Sequence, residues 1–173
     1  MTEEFKNLLP ILEEYAAEFE RIYKEKLKAD NRVATGNLIN SIKTKVRQGK
    51  DYFEVEFNAA EYWKYVEEGR NAGKWPPREA ILNWIRAKKI LPRPDANGKL
   101  PTEEQLSYLI QRAIGENGTI KDKNYDGGHY VATTVEELNS IYLPQMEAAL
   151  QLDMEDVVVE LFDGAFSKLR KLI

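Results

Sequence analysis

Three observations predict an α+β fold. An apolar stripe at three- and four-residue steps opens the chain, a two-residue alternation follows over about residues 42–57, and helical patterns resume after it. A helix first, then a hairpin in a small antiparallel sheet, then several helices and a helical C-terminal region is the order expected.

In the first stretch Phe5, Leu8, Leu9, Leu12, Tyr15, Ala16, Phe19, Ile22, Tyr23 and Leu27 form one stripe of a long amphipathic helix. Pro10 falls inside the pattern, so the main body is expected from Ile11 to about Ala29, with Pro10 starting or kinking it. The next run, ATGNLIN at 34–40, breaks the period. In SIKTKVRQGKDYFEVEF, a two-residue turn at Gly49-Lys50 pairs Val46 with Phe53, Thr44 with Val55 and Ile42 with Phe57. The other face then sets Lys45 against Glu54 and Lys43 against Glu56. Each pair is worth ~0.2–1 kcal/mol, and a slip of one residue would turn the apolar set to water.

Helices are expected again over Ala59–Glu68, with Tyr62, Tyr65 and Val66 inward and Gly69 as its stop. Pro76-Pro77 opens another to about Lys89, facing in through Ile81, Trp84 and Ile85, with Ala80 close by. Thr102 and Gln105 form a capping-box pattern for a helix through Ile114, whose apolar face is Leu106, Leu109, Ile110 and Ala113, ended by Gly115 and Gly118. Residues 115–129, polar and with four glycines, read as a mobile loop. Val135–Leu143 is helical in pattern, Pro144 interrupts, and a second stripe from Met146 to Leu169 continues as helix, although the branched residues of VVVELF also suit a strand.

The chain has 173 residues and a mass of 20.0 kDa, which suits one domain over 1–173. It has no cysteine, so no disulfide or thiolate metal site, and it has no uncharged run of the ~20 residues that span a bilayer. The start MTEEFKNLLP is acidic where a secretory signal would be basic, so a soluble protein of the cytoplasm is expected. The net charge is -4, and the 25 basic residues are scattered among 29 acidic ones. A dedicated nucleic-acid binder would show a basic face instead.

Chemistry is sparsely represented. His129 is the single histidine, in the loop sequence DGGHY, without a nucleophile elbow beside it. The acids of KDKNYDGG lack the spacing and terminal glutamate of a calcium loop. Glu54, Glu56 and Lys64 loosely fit a metal-dependent nuclease or hydrolase, but the hairpin register gives both glutamates lysine partners. No catalytic, cofactor or metal-ligating residue is assigned. What remains unabsorbed is EYWKYVEEGRNAGKWPP at 61–77, where Trp63 and Trp75 fall off the helix faces and flank Arg70 and Lys74. Tryptophan, tyrosine and arginine are enriched at protein interfaces.

The ordered series TGNLINSI, hairpin, AAEYWKYVEEGR, WPPREAILNWIRAKKI and YLIQRAIGENGT resembles the head–tail connector, or tail-completion, family of tailed bacteriophages, often called minor tail components. The match runs over about residues 34–120 within a core of 11–120, and 121–173 form an extended C-terminal part. The resemblance implies a virion structural protein at the neck, assembled in the host bacterial cytoplasm, without catalysis or cofactor. It implies a homo-oligomeric ring of roughly six or twelve copies between portal-side and tail proteins, through which genomic DNA passes without sequence-specific binding. By analogy Tyr62, Tyr65, Glu67, Gly69 and Arg70 lie near subunit or ring interfaces, with Pro76, Pro77 and Trp84 in the supporting scaffold. The competing readings are the small metal-dependent nuclease or hydrolase above and a phage-encoded protein-binding module.

Overall fold

A computed structural model describes residues 5–49, 52–119 and 127–170. Among these the chain order is α1 (Leu8–Ala29), α2 (Asn37–Ser41), β1 (Lys43–Gln48), β2 (Phe53–Asn58), α3 (Trp63–Glu67), α4 (Arg78–Ala87), α5 (Glu103–Asn117) and α6 (Tyr130–Arg170). The class is α+β, with β1 and β2 forming a two-stranded sheet. No helix among the described residues is long and apolar enough to cross a membrane. One domain is expected over 1–173; the chain gathers into two compact units, both discontinuous in sequence. The first takes Met1–Tyr23, Lys43–Phe57 and Ala132–Ile173, and the second takes Lys24–Ile42 and Asn58–Val131.

In the first unit the predicted stripe of α1 is buried at Leu8, Leu12, Tyr15, Ala16, Phe19 and Tyr23. Helix α1 begins at Leu8, which puts Pro10 in the first turn, where an amide has no intrahelical acceptor to lose. The sheet's apolar face, Val46, Phe53 and Val55, packs with Leu8, Leu12 and Ala149. Phe57 meets Phe19 and Tyr23 edge to face, at centroid distances of 5.5 and 5.4 Å. Opposite them α6 buries Leu138, Tyr142 and Ala149, and Tyr142 stands edge-on to Tyr15 at 5.7 Å.

The hairpin keeps its predicted faces but shifts its register by two. The amide of Gly49 donates to the carbonyl of Tyr52 at 2.8 Å, so Gly49 pairs with Tyr52, Val46 with Val55, Thr44 with Phe57 and Lys45 with Glu56. Lys45 lies 3.3 Å from Glu56, not on Glu54, and Arg47 also pairs with Glu56. Lys43 reaches back to Glu20 of α1 at 3.4 Å instead of to Glu56. A shift of two leaves every side chain on its own face, so the apolar pattern cannot distinguish the two registers. Lys50, half of the predicted turn, lies outside the described residues.

Pro144 does not interrupt α6, which runs unbroken from Tyr130 to Arg170, and VVVELF lies inside it as helix. Pro144 faces solvent, where the carbonyl freed one turn earlier can be hydrated, and Gln145 adds a side-chain bond to the Ile141 carbonyl at 3.1 Å. Further along, Asp153 is 1% exposed and caps α1. Its carboxylate accepts from the Asn7 amide at 3.0 Å, the Leu8 amide at 2.9 Å and the Asn7 side chain at 2.8 Å. Burial pushes the carboxyl pKa up, yet the hydrogen bonds from Asn7 and Leu8, with Lys6 nearby, outweigh it and hold the pKa below the ordinary value. A depressed aspartate stabilises the fold fully above the unfolded value, near ~4, and loses that contribution as pH falls through the folded value. Asp153→Asn is therefore expected to lose about 1–3 kcal/mol at pH 7. Denaturant unfolding should show the gap to wild type closing below about pH 4; a gap independent of pH would remove the capping charge from the explanation.

The second unit is built around α4 and α5. Ile81 and Ile85, one helical turn apart, are buried as predicted, but Trp84 is exposed and Ala80 with it. On α5 the capping box of Thr102 and Gln105 is present, and the helix runs through Gly115 to Asn117. Its inward face is the predicted one only in part: Leu106 and Ile110 are half-buried, but Leu109 and Ala113 are exposed, whereas Ser107 and Gly115 are buried. Polar and backbone bonds fix that rotation. Arg78 of α4 donates to Ser107 at 3.2 Å and to the Glu104 carbonyl at 2.9 Å, and small residues let the elements approach closely.

Candidate interface at residues 60 to 76

The segment 59–68 is expected to be one helix, but only Trp63–Glu67 is helical. Contacts from other segments explain the shortening and set its rotation. Ser41 at the end of α2 accepts from the Ala60 amide at 2.8 Å, and the Tyr62 hydroxyl lies near the Asn37 side chain and the Leu38 backbone. Burial pushes the Tyr62 phenol above its ordinary pKa, against the opposing pull of those two polar groups. The predicted facing holds only at Val66, which is half-buried; Tyr62 and Tyr65 are exposed, and Trp63 is half-buried.

Glu67 is 6% exposed and engages the chain's own backbone. Its carboxylate accepts from the Val131 amide at 2.6 Å, and its carbonyl from Gly128 at 2.7 Å and His129 at 3.2 Å. Gly127, at φ 122°, makes the approach possible: a Cβ there would stand 1.9 Å from the Glu67 carbonyl oxygen. Of the loop expected at 115–129, residues 120–126 lie outside the described residues, and with them most of KDKNYDGG. The described end at 127–129 is anchored on Glu67, and His129 is half-buried there rather than exposed.

Gly69, at φ 76°, ends α3 as predicted. The chain then locks onto the end of α5. The Arg70 amide donates to the Thr119 hydroxyl and the Thr119 amide returns a bond to the Arg70 carbonyl, both at 2.8 Å. Gly73 donates to the Gly115 carbonyl at 2.8 Å, and Gln111 to the Pro76 carbonyl at 2.7 Å. Trp75 lies against Gly115, where a Cβ would come within 2.4 Å of the indole. An intrahelical glycine costs ~1 kcal/mol relative to alanine; here it makes room for the indole.

On the outside of this scaffold runs a connected row. The Arg70 guanidinium sits 4.6 Å over the Tyr65 ring and donates to the Lys74 carbonyl at 3.2 Å, and Trp75 stands 6.3 Å from Tyr108. Tyr65 is 49% exposed and Trp75 46%. Of the residues singled out in the sequence, Tyr62, Tyr65, Arg70 and Trp75 present surface. Glu67 and Gly69 hold the segment in shape, and Trp63 is half-buried. Tyr108, Gly115, Thr119 and Gly127 were missed. A glycine inside an otherwise regular helix was the one signal, and it read as a helix end.

For the nuclease reading, Glu56 is engaged by Lys45 and Arg47, and Glu54 is exposed on β2. Among the described residues no group of three or more histidine, aspartate or glutamate side chains stands close enough to hold a metal ion. No protein-family model, curated protein or solved structure matches the chain.

Proposed function

We propose that the chain is a structural protein of a tailed-bacteriophage neck, a ring-forming head–tail connector of the tail-completion kind that acts through protein contacts. The observation that carries this reading is the convergence of the family-like segments on residues 60–76. TGNLINS bonds to Ala60 and lies near the Tyr62 hydroxyl, and IGENGT bonds to Arg70 and Gly73 while Gly115 seats Trp75. Segments far apart in sequence are thus spent on rigidly presenting one short stretch whose outer side chains are tyrosine, arginine and tryptophan. Those types dominate interface energetics. A rigid row also loses little entropy on docking.

A ring is the economical use of such a surface. Each edge binds weakly, and closure adds contacts at high effective concentration, so a moderate pairwise affinity yields a stable assembly through which a genome passes. The resemblance over residues 34–120 supplies the neck, the portal-side and tail partners, and the virion location.

Electron microscopy of intact particles is the direct test. Density for this fold is expected at the head–tail junction, with residues 62–75 against a neighbouring subunit. Particles that join heads to tails without the chain, together with a protein monomeric at every concentration, would sink the proposal.

A further inference from the structure

We propose that copies of this chain join head to tail, with the basic loop at residues 89–100 of one copy docking on the acidic, apolar face of α6 around residues 150–163 of the next. This rests on the ring-forming reading and adds a second pair of surfaces to the contact proposed at residues 60–76.

The loop follows α4. Leu91 is 84% exposed, the highest value among the exposed large apolar residues described, and Leu100 at the far end of the loop is exposed too. Such exposure is ordinary in a loose tail, but this loop is tied. The Asp95 carboxylate accepts from the Asn97 and Lys99 amides, each at 2.9 Å, and the Asp95 amide donates to the Lys99 carbonyl at 2.9 Å. The leucines are therefore presented on an ordered scaffold, at low entropic cost to a partner. Charge accompanies them. Arg86 and Lys88 are engaged by Glu103 and Asn31, whereas Lys89, Arg93 and Lys99 make no ion pair among the described residues.

The far part of α6 has the opposite character. Leu150, Met154, Val158 and Leu161 recur at steps of four, four and three, which puts them on one helix face, and all four are exposed with Phe162 beside them. Residues 150–163 contain no lysine or arginine and five carboxylates, of which Asp153 is buried as the cap of α1 and Glu155, Asp156, Glu160 and Asp163 are exposed. Lys6 serves Asp156 at 2.7 Å and is also drawn to Glu160, while Glu155 and Asp163 have no cationic partner among the described residues. Two α6 ends brought together would set these carboxylates against each other, a repulsion that the basic loop avoids. A loop fitting a helix face is a contact between two different surfaces, and such contacts propagate into rings or filaments instead of stopping at a dimer.

The test is sedimentation velocity on the full chain, wild type beside Leu91→Asp and Val158→Asp. Both positions are exposed, so circular-dichroism melts should match wild type. Wild type is expected to associate, with oligomers weakened by salt, and each variant to stay monomeric at tenfold higher concentration. An equimolar mixture of the two variants should form dimers and nothing larger, since only one intact loop and one intact helix face remain between them. Normal association of Leu91→Asp with a monomeric Val158→Asp would mean that α6 pairs with itself, and would overturn the inference. Wild-type association of both variants would overturn it too while leaving the ring reading standing. A wild type monomeric throughout would overturn the inference, and the ring reading would then be decided by the particles lacking the chain.

Discussion

Replacing Phe19 by alanine should lower the unfolding free energy by about 3–5 kcal/mol, the largest single loss expected from this chain's core. Phe19 is buried on α1, stacks on Tyr23 with centroids 6.0 Å apart, and meets Phe57 edge-on at 5.5 Å. Because Tyr23 also meets Phe57 at 5.4 Å, the three rings form a closed triangle linking α1 to β2. Removing one ring forfeits its transfer free energy, leaves a cavity bounded by two rigid rings, and breaks two aromatic contacts worth ~0.5–1.5 kcal/mol each. Rigid neighbours collapse poorly into a void, which places the loss towards the upper end of that range. Phe162→Ala is the control, since that ring is exposed and its removal should fall within about 0.5 kcal/mol of wild type. Chemical denaturation of the unit holding α1 and the hairpin decides the matter. Equal losses for the two variants would mean that the triangle contributes nothing beyond ordinary surface.

Phe19 was legible in the sequence because a 22-residue helix repeats its signal over several turns. The hairpin was legible for the same reason in its faces, but not in its register, which depends on turn length and on where Glu20 draws Lys43. Periodicity failed in the short elements. A five-residue helix has too few turns to fix its own rotation, so the tie of Ala60 to Ser41 and the packing around it leave Trp63 half-buried and Tyr62 and Tyr65 exposed. In α5 the apolar residues suggested Leu106, Leu109, Ile110 and Ala113 as the buried side; the helix is turned so that Leu106 and Ile110 stay half-buried and Leu109 and Ala113 face out, because Arg78 and Trp75 require a serine and a glycine on the inner side. Pro144 misled in the opposite sense, because a proline on an exposed face of a helix held by Leu138, Tyr142 and Ala149 costs less than the packing it would disrupt. The candidate interface was readable as a stretch of unusual composition. Its scaffold was not, because it is made of backbone bonds between segments far apart in sequence.

Gly127→Ala probes that scaffold, with an expected loss of about 3 kcal/mol or more in the unit that contains it. The residue holds φ at 122°, where a side chain is strained by ~1–3 kcal/mol. The new methyl would also lie 1.9 Å from the Glu67 carbonyl oxygen, so backbone has to move. What moves is the set of bonds by which Gly128, His129 and Val131 hold Glu67. Amide hydrogen exchange should therefore accelerate at those three residues in step with the lower melting temperature. The contrast with Tyr65→Ala separates shape from contact. Tyr65 is exposed beneath the Arg70 guanidinium, so its loss should leave stability within roughly 0.5–1 kcal/mol of wild type. If residues 60–76 join subunits, Tyr65→Ala weakens assembly with folding intact, whereas Gly127→Ala weakens both, because a docking row whose support has shifted is no longer preorganised. Assembly unaffected by Tyr65→Ala but impaired by Gly127→Ala would assign the stretch to folding alone, and the subunit contact would have to be sought on another face.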